Sequence, residues 1–243
     1  MVHVENLSVG FGDTNLLEHV SFSVERGEIF AILGSSGAGK STLLKHLIGL
    51  MTPRAGRVEI LGTERPGAAG VPPSFGVLFQ SGALFGSMTL VENVRLPLEK
   101  WTELGARAID SIACSKLRLV GLDGFEDYLP AAISGGMKKR AGIARSLALE
   151  PALLFLDEPS AGLDPVTSAA LDELILILNR DLGVTLVVVT HELESVYRVA
   201  HRCILLDRDA RGIIAEGDPR ELRGRSDDPR VQGFFNPSIS GGE

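Results

Sequence analysis

The stretch Gly34-Ser35-Ser36-Gly37-Ala38-Gly39-Lys40-Ser41 has the composition and spacing of a loop that holds phosphate. Its glycines let successive backbone N–H groups converge on anionic oxygens. The residues that follow, LLKHLIGLM, repeat apolar side chains at helical spacing, so the positive end of a helix would face the same anion. In the pattern G-x4-G-K-[ST], Lys40 would reach the β- and γ-phosphates of a nucleotide and the Ser41 hydroxyl would ligate Mg2+. The competing reading is a flexible Gly/Ser loop. The apolar run GEIFAILG before it and the helical pattern after it weigh against that reading.

A second group of candidates ends the run Leu153-Leu154-Phe155-Leu156-Asp157-Glu158. An apolar strand that finishes in two carboxylates could place Asp157 on Mg2+, directly or through water. It could place Glu158 to take a proton from an attacking water, with a basicity tuned by its surroundings. Alone, the pair could equally be a surface acidic patch after a core strand; beside a phosphate loop that reading weakens. Three further features stand at strand ends or helix starts. Gln80 follows GVLF, Ser134-Gly135-Gly136 opens a basic helix, and His191 follows VTLVVVT. A lone histidine is most often a core side chain, but a strand end before an acidic helix start is the wrong place for one.

These residues need a frame. Val20–Val24 alternates apolar and polar residues, as a strand with one wet face does. GEIFAILG, GVLFQ, ALLFLD and VTLVVVTH are short continuous apolar runs, expected for parallel strands buried on both faces. RVEILG is a shorter strand, and CILLD and GIIAEG close the sheet. Between about Phe85 and Ala148 the pattern becomes helical, with Ile109, Ile112, Ala113, Leu117 and Val120 at steps of three and four residues. Asp164-Pro165 reads as the N-cap and first position of a helix with Leu171, Leu174, Ile175 and Leu178 on its core face. Strands alternate with helices, and one helical block is inserted. The predicted class is therefore α/β, with a parallel central sheet and an α-helical subdomain. No internal repeat is evident.

Composition narrows the classes. The 243 residues are 44% hydrophobic and 23% charged, enough for a sizeable core. A net charge of −7 argues against nucleic acid as a partner. Cys114 and Cys203 lie far apart with no CxxC or Cys/His cluster, so neither a disulfide framework nor a zinc site is expected, and a reducing, cytosolic setting fits. The N-terminal MVHVENLSVGFGD lacks the basic and apolar regions of a signal peptide. No apolar run approaches the ~18 residues of a spanning helix. Work at a membrane would go through partners.

The phosphate loop, Gln80, Ser134-Gly135-Gly136, Asp157-Glu158, Ser160-Ala161-Gly162-Leu163-Asp164 and His191 occur in an order and spacing that resembles the nucleotide-binding subunit of ABC transporters. The resemblance runs from the first strands to about Phe235. It implies a P-loop NTPase fold of the ABC ATPase type, with a RecA-like parallel-sheet core, an antiparallel β subdomain and an inserted helical subdomain. It implies one ATPase domain over residues 1–225, its helical part at about 86–150, and a C-terminal extension over 226–243 whose end is expected to be disordered. It implies Mg-dependent ATP hydrolysis. In that scheme Gly34 to Thr42 are Walker A, with Thr42 on the α-phosphate, and Phe11 stacks on adenine, where Tyr is commoner; a simple edge-strand aromatic is the alternative for Phe11. Gln80 is the Q-loop glutamine near Mg2+ and the attacking water. Asp157 and Glu158 end Walker B, His191 is the switch histidine, and Asp164 belongs to the dimer interface. In a head-to-tail homodimer each ATP lies between Walker A of one subunit and Ser134-Gly135-Gly136 of the other.

Two details resemble a subgroup. The Q-loop reads LFQSGALF and the signature reads SGGMKKR, with Met137 where most ABC ATPases carry Gln. Together with the tail DDPRVQGFF, these are similar to the ATPases of MCE-type, Mla-like phospholipid transport systems. That implies a membrane-embedded permease pair, an MCE-domain lipid-binding protein and, in some systems, a STAS-domain subunit as partners. It implies a peripheral place on the cytoplasmic face of a bacterial inner membrane. Gly82 to Phe85 are then candidates for the surface that meets the permease; packing within their own subunit is the alternative. Lys138-Lys139-Arg140 reads as a solvated helix face rather than a nucleic-acid patch. Phe234 and Phe235 need a docking place on their own or a partner subunit. A soluble ABC ATPase acting in assembly or as a scaffold is the competing function; no coiled-coil insertion, zinc cluster or second ATPase domain supports it. A second ISGG, from Ile239, has no helix pattern after it and reads as a chance match.

Overall fold

A computed structural model describes residues 1–11, 14–64 and 71–236, apart from the side chains of Phe11 and Arg225. The strands are β1 (Val2–Phe11), β2 (Thr14–Val24), β3 (Ile29–Gly34), β4 (Ala55–Ile60), β5 (Thr63–Glu64), β6 (Gly76–Leu78), β7 (Leu153–Asp157), β8 (Thr185–Val189), β9 (Arg202–Asp207) and β10 (Gly212–Gly217). The α-helices are α1 (Lys40–Leu47), α2 (Leu90–Trp101), α3 (Ala106–Leu119), α4 (Gly135–Ser146), α5 (Pro165–Arg180), α6 (Leu193–Val199), α7 (Pro219–Arg225) and α8 (Pro229–Phe235). They form two compact units, Met1–Pro73 with Thr185–Glu243, and Ser74–Val184.

The first unit carries two kinds of sheet. β3 lies between β8 and β9 and is parallel to both, and β10 pairs antiparallel with β9. All six residues of β3 and all five of β8 are buried, which is why their sequences are apolar without alternation. β1 pairs antiparallel with β2 and β4, and β4 with β5, giving the antiparallel β layer. The C-terminal helix α8 starts at Asp228, whose carboxylate accepts from the Arg230 N–H, followed by Pro229. It inserts Val231 and Phe235 into a cluster with Ala31, Leu33, Val196, Ala200, Cys203 and Leu205. The docking place of Phe235 is thus its own chain. Phe234 lies edge-on to Phe235 with ring centroids 5.4 Å apart.

In the second unit β6 and β7 pair in parallel, with Val77 opposite Phe155. α2, α3 and α4 fill the stretch between them. α2 opens with a capping box: Glu92 N–H donates to Thr89 Oγ1, and the Glu92 carboxylate accepts from the Thr89 N–H. On α3, Ile109, Ala113 and Leu117 are buried as their spacing predicts. α5 begins at Asp164, which accepts from the Val166 and Thr167 N–H groups ahead of Pro165, and buries Leu171, Leu174, Ile175 and Leu178. Among the described residues no helix is long and apolar enough to cross a membrane. The second ISGG lies outside the described residues.

Candidate nucleotide site

In the first unit the phosphate loop is a strand–loop–helix turn. β3 ends at Gly34, and α1 begins at Lys40 with Gly39 as its N-cap. Gly37 and Gly39 take φ of +81° and +94°, left-handed values that L side chains rarely adopt. No side chain caps α1, and no acidic residue sits in its first turn. Lys40 is buried, and its Nζ donates to Gly34 O at 2.7 Å and Ser35 O at 3.2 Å. The ammonium therefore folds over the mouth of the loop. Ser41 is exposed and Thr42 half-buried in the first turn of the helix. The imidazole of His46 contacts Thr42 O at 2.7 Å through Nδ1.

His191 belongs to the same unit. Val189, the end of β8, pairs with Ile32 of β3, and Thr190 N–H donates to Ile32 O at 3.2 Å. His191 thus leaves the sheet beside the strand that feeds the phosphate loop. Its imidazole is exposed, 3.9 Å from the Glu192 carboxylate. Phe11 closes β1 opposite Thr14. The expectation that it stacks on adenine concerns a side chain outside the described residues.

The second unit gathers Gln80, the signature residues, Asp157 and Glu158. β7 is buried along its whole length and delivers Asp157 and Glu158, which are 8% and 7% exposed. Glu158 has φ +46°, a left-handed backbone at a non-glycine residue. Ser134 caps α4, its Oγ accepting from the Met137 N–H at 3.3 Å. Gly136 is buried where a Cβ would stand 2.3 Å from Thr167 Cγ2, so only glycine lets α4 meet α5 there. Ala141, Ala144 and Ala148 are buried on the helical face that follows. Asp164 is exposed and held by Thr167, whose hydroxyl donates to it at 2.5 Å.

Lys139 departs from the expectation of a solvated charge run. It is 6% exposed, and its Nζ donates to Glu158 O at 2.8 Å and to Gln80 O. Burial pushes its ammonium below the usual lysine range, and the negative charges of Asp157 and Glu158 push it back up. Its neighbours Lys138 and Arg140 are half-buried. A buried lysine finds such partners only through tertiary packing, so the run of three cations carries no signal for it.

The Q-loop is held by side chains that sequence reasoning missed. Arg145 donates to Ala83 O at 2.7 Å and Gly82 O at 3.1 Å. The fully buried Asn93 accepts from Phe85 N–H at 2.8 Å and donates to the carbonyls of Phe85, Met88 and Thr89. A buried orphan of any of these groups costs about 1–3 kcal/mol, so one amide stabilises the whole bend. Of the candidate coupling residues, Gly82 is buried and Phe85 is 56% exposed.

The comparisons with known proteins agree with this geometry. A family model described as ABC transporter matches residues 17–161. The probable ribonucleotide transport ATP-binding protein mkl of Mycobacterium leprae is 41% identical over 240 residues, covering 97% of this chain and 68% of that protein. The intermembrane phospholipid transport system ATP-binding protein MlaF of Escherichia coli K12 is 39% identical over 247 residues, covering 99% of this chain and 90% of that protein. Among solved structures, the dimeric ATP-binding cassette MJ0796 in a post-hydrolysis state with ADP and Pi superposes with a TM-score of 0.79 at 29% identity, over 90% of this chain and 98% of that one. CbiO1 of Clostridium perfringens, part of the ABC transporter complex cbiONQ, gives 0.80 at 28% identity, over 98% of this chain and 96% of that one.

Proposed function

The chain belongs to the ABC transporter family as an ATP-hydrolysing subunit, and on that premise we propose that it powers phospholipid movement through a separate membrane permease. The observation that carries the nucleotide half is the phosphate loop, with Lys40 across its mouth and an uncapped helix start behind it. The lipid half is supported by the likeness to MlaF over almost the full length of both chains. The Mycobacterium relatives carry a ribonucleotide name, and this chain spans 68% of the M. leprae protein. The stretch SGGM and the Q-loop QSGALF favour the lipid reading.

In this reading the loop amides and Lys40 bind the β- and γ-phosphates and hold them in line for attack. Glu158 takes the proton of the attacking water, Gln80 orients that water, and His191 contacts the γ-phosphate. Ser134, Gly135 and Gly136 bind the nucleotide of the other subunit, and Asp164 sits at that interface. A homodimer is supported by the dimeric MJ0796 structures, and the head-to-tail arrangement is part of this reading. Ser41, Asp157 and Gln80 offer hard oxygen donors of the kind Mg2+ takes together with nucleotide phosphates, and the ion would neutralise charge on those phosphates. Phe85 presents an apolar ring for the permease. MCE-domain and STAS-domain subunits are the further partners proposed, with the chain peripheral on the cytoplasmic side of the inner membrane.

Copurification from native membranes tests the reading. Capture of an integral permease with bound phospholipid is expected. Recovery of soluble partners alone, or of a permease that responds to ribonucleotides and not to lipid, would overturn it.

A further inference from the structure

We propose that Lys139 is a positioning residue, tying the main chain at Gln80 to the main chain at Glu158 so that helix α4 sets the placement of both side chains. The inference rests on the reading of Gln80 and Glu158 given above. Both acceptors of the buried ammonium are peptide carbonyls. A salt bridge would neutralise a carboxylate; these contacts instead fix two loops to one point.

Each loop has a reason to need the tether. Glu158 sits in a left-handed conformation at φ +46°, and such strain persists only where neighbours over-determine it. Its carbonyl accepts from Lys139 and, at 3.3 Å, from the Ala161 N–H. The segment after β6 turns sharply, with Gly82 N–H donating to Phe79 O at 2.7 Å and Ala83 at φ +48°. It has no ladder to satisfy its carbonyls, and α4 supplies the donors: Lys139 to Gln80, Arg145 to Gly82 and Ala83. Between those cations the helix touches the loop backbone directly. A Cβ on Gly142 would stand 2.6 Å from Leu78 Cδ1 and 3.1 Å from Gly82 O.

The same helix starts at Ser134, Gly135 and Gly136. A shift at that start is carried along α4 to Lys139 and from there to the backbone of both catalytic residues. The coupling runs through a packed helix and two hydrogen bonds, a physical connection and not mere proximity.

Lys139→Met removes the donors and keeps most of the apolar stem. Steady-state hydrolysis by the full chain is expected to lose about tenfold or more in kcat with KM for ATP within about twofold, as for groups displaced from productive geometry. Lys139→Arg, which retains donors, should recover most of that rate. In a Gln80→Ala background Lys139→Met should cost less than in the parent, because part of its effect runs through Gln80 and the rest through Glu158. Hydrogen exchange should quicken in the segments containing Gln80 and Ala161 and stay unchanged at α5. A kcat near the original, an equal loss in both backgrounds, or unchanged exchange in the two segments would each overturn the inference. Should Glu158→Gln hydrolyse ATP at the original rate, the reading of Glu158 as the base fails instead, and exchange at the two segments still decides the tether.

Discussion

Replacing Gly136 by alanine should destabilise the second unit for a reason unrelated to nucleotide. The added Cβ would lie 2.3 Å from Thr167 Cγ2, and ordinary contact begins at 3.4 Å, so 3.4 − 2.3 = 1.1 Å must be found. Thr167 cannot turn away freely, because its hydroxyl donates to Asp164 at 2.5 Å and its N–H donates to the same carboxylate at 3.0 Å. The remaining route is separation of α4 from α5, an overpacking that costs about 1–3 kcal/mol. Alanine recovers about 0.8–1 kcal/mol of helix propensity over glycine. The net expectation is a loss of about 1 kcal/mol, and at most roughly 2 kcal/mol. Urea unfolding followed by Trp101, the single tryptophan and a member of α2, reads this unit directly. Thr167→Ser removes the offending methyl and keeps the hydroxyl. In that background Gly136→Ala should turn neutral or stabilising. An equal loss with Thr167 and with Ser at that position would refute the steric argument, and so would no loss in the parent.

Other expectations can be checked with simple assays. Glu158→Gln should lower turnover by about 100-fold or more while ATP still drives dimer formation on a sizing column; full hydrolysis would remove Glu158 as the base. Lys40→Ala should weaken nucleotide binding strongly, measured by titration, whereas parent-like binding would contradict the phosphate-loop reading. Met137→Gln should keep the ATPase rate within about tenfold, about 1.4 kcal/mol in barrier, since Met137 contributes its N–H to Ser134 and that bond does not depend on its side chain. Cys203 is fully buried with its thiol pushed up to about 12, and Cys114 is partly exposed. Alkylation at about pH 8 should therefore label Cys114 in the folded protein and both thiols in urea, as counted by mass; native labelling of Cys203 would contradict its place in the core.

The parts legible in the sequence were those where one physical demand dominates. A strand buried on both faces tolerates only apolar residues, so β3, β7 and β8 stand out as continuous runs. Asp164-Pro165 announced α5 because capping and a fixed φ are local requirements. β1 was harder to see. Its register shifts between Val4 and Leu7 and between Leu7 and Gly10, so its alternation is broken where it pairs with β2. Lys139 reads from sequence as part of a solvated helix face and is buried instead, and Asn93 gives no sequence signal. Each is a polar side chain whose burial is permitted only by carbonyls brought in from distant segments, and no spacing rule encodes that. The same limit applies to Arg145. Sequence named the side chains that would do the chemistry but not those that hold their backbones.

The left-handed backbone at Glu158 sets a conflict between folding and activity. A left-handed residue with a Cβ costs about 1–2 kcal/mol that glycine does not incur. Any scheme that ranks substitutions by stability would therefore favour glycine at the one position where the carboxylate is proposed to act as base. Selection for a sturdier fold and selection for turnover pull this residue in opposite directions, and a thermostable variant obtained without an activity screen should be inspected there first.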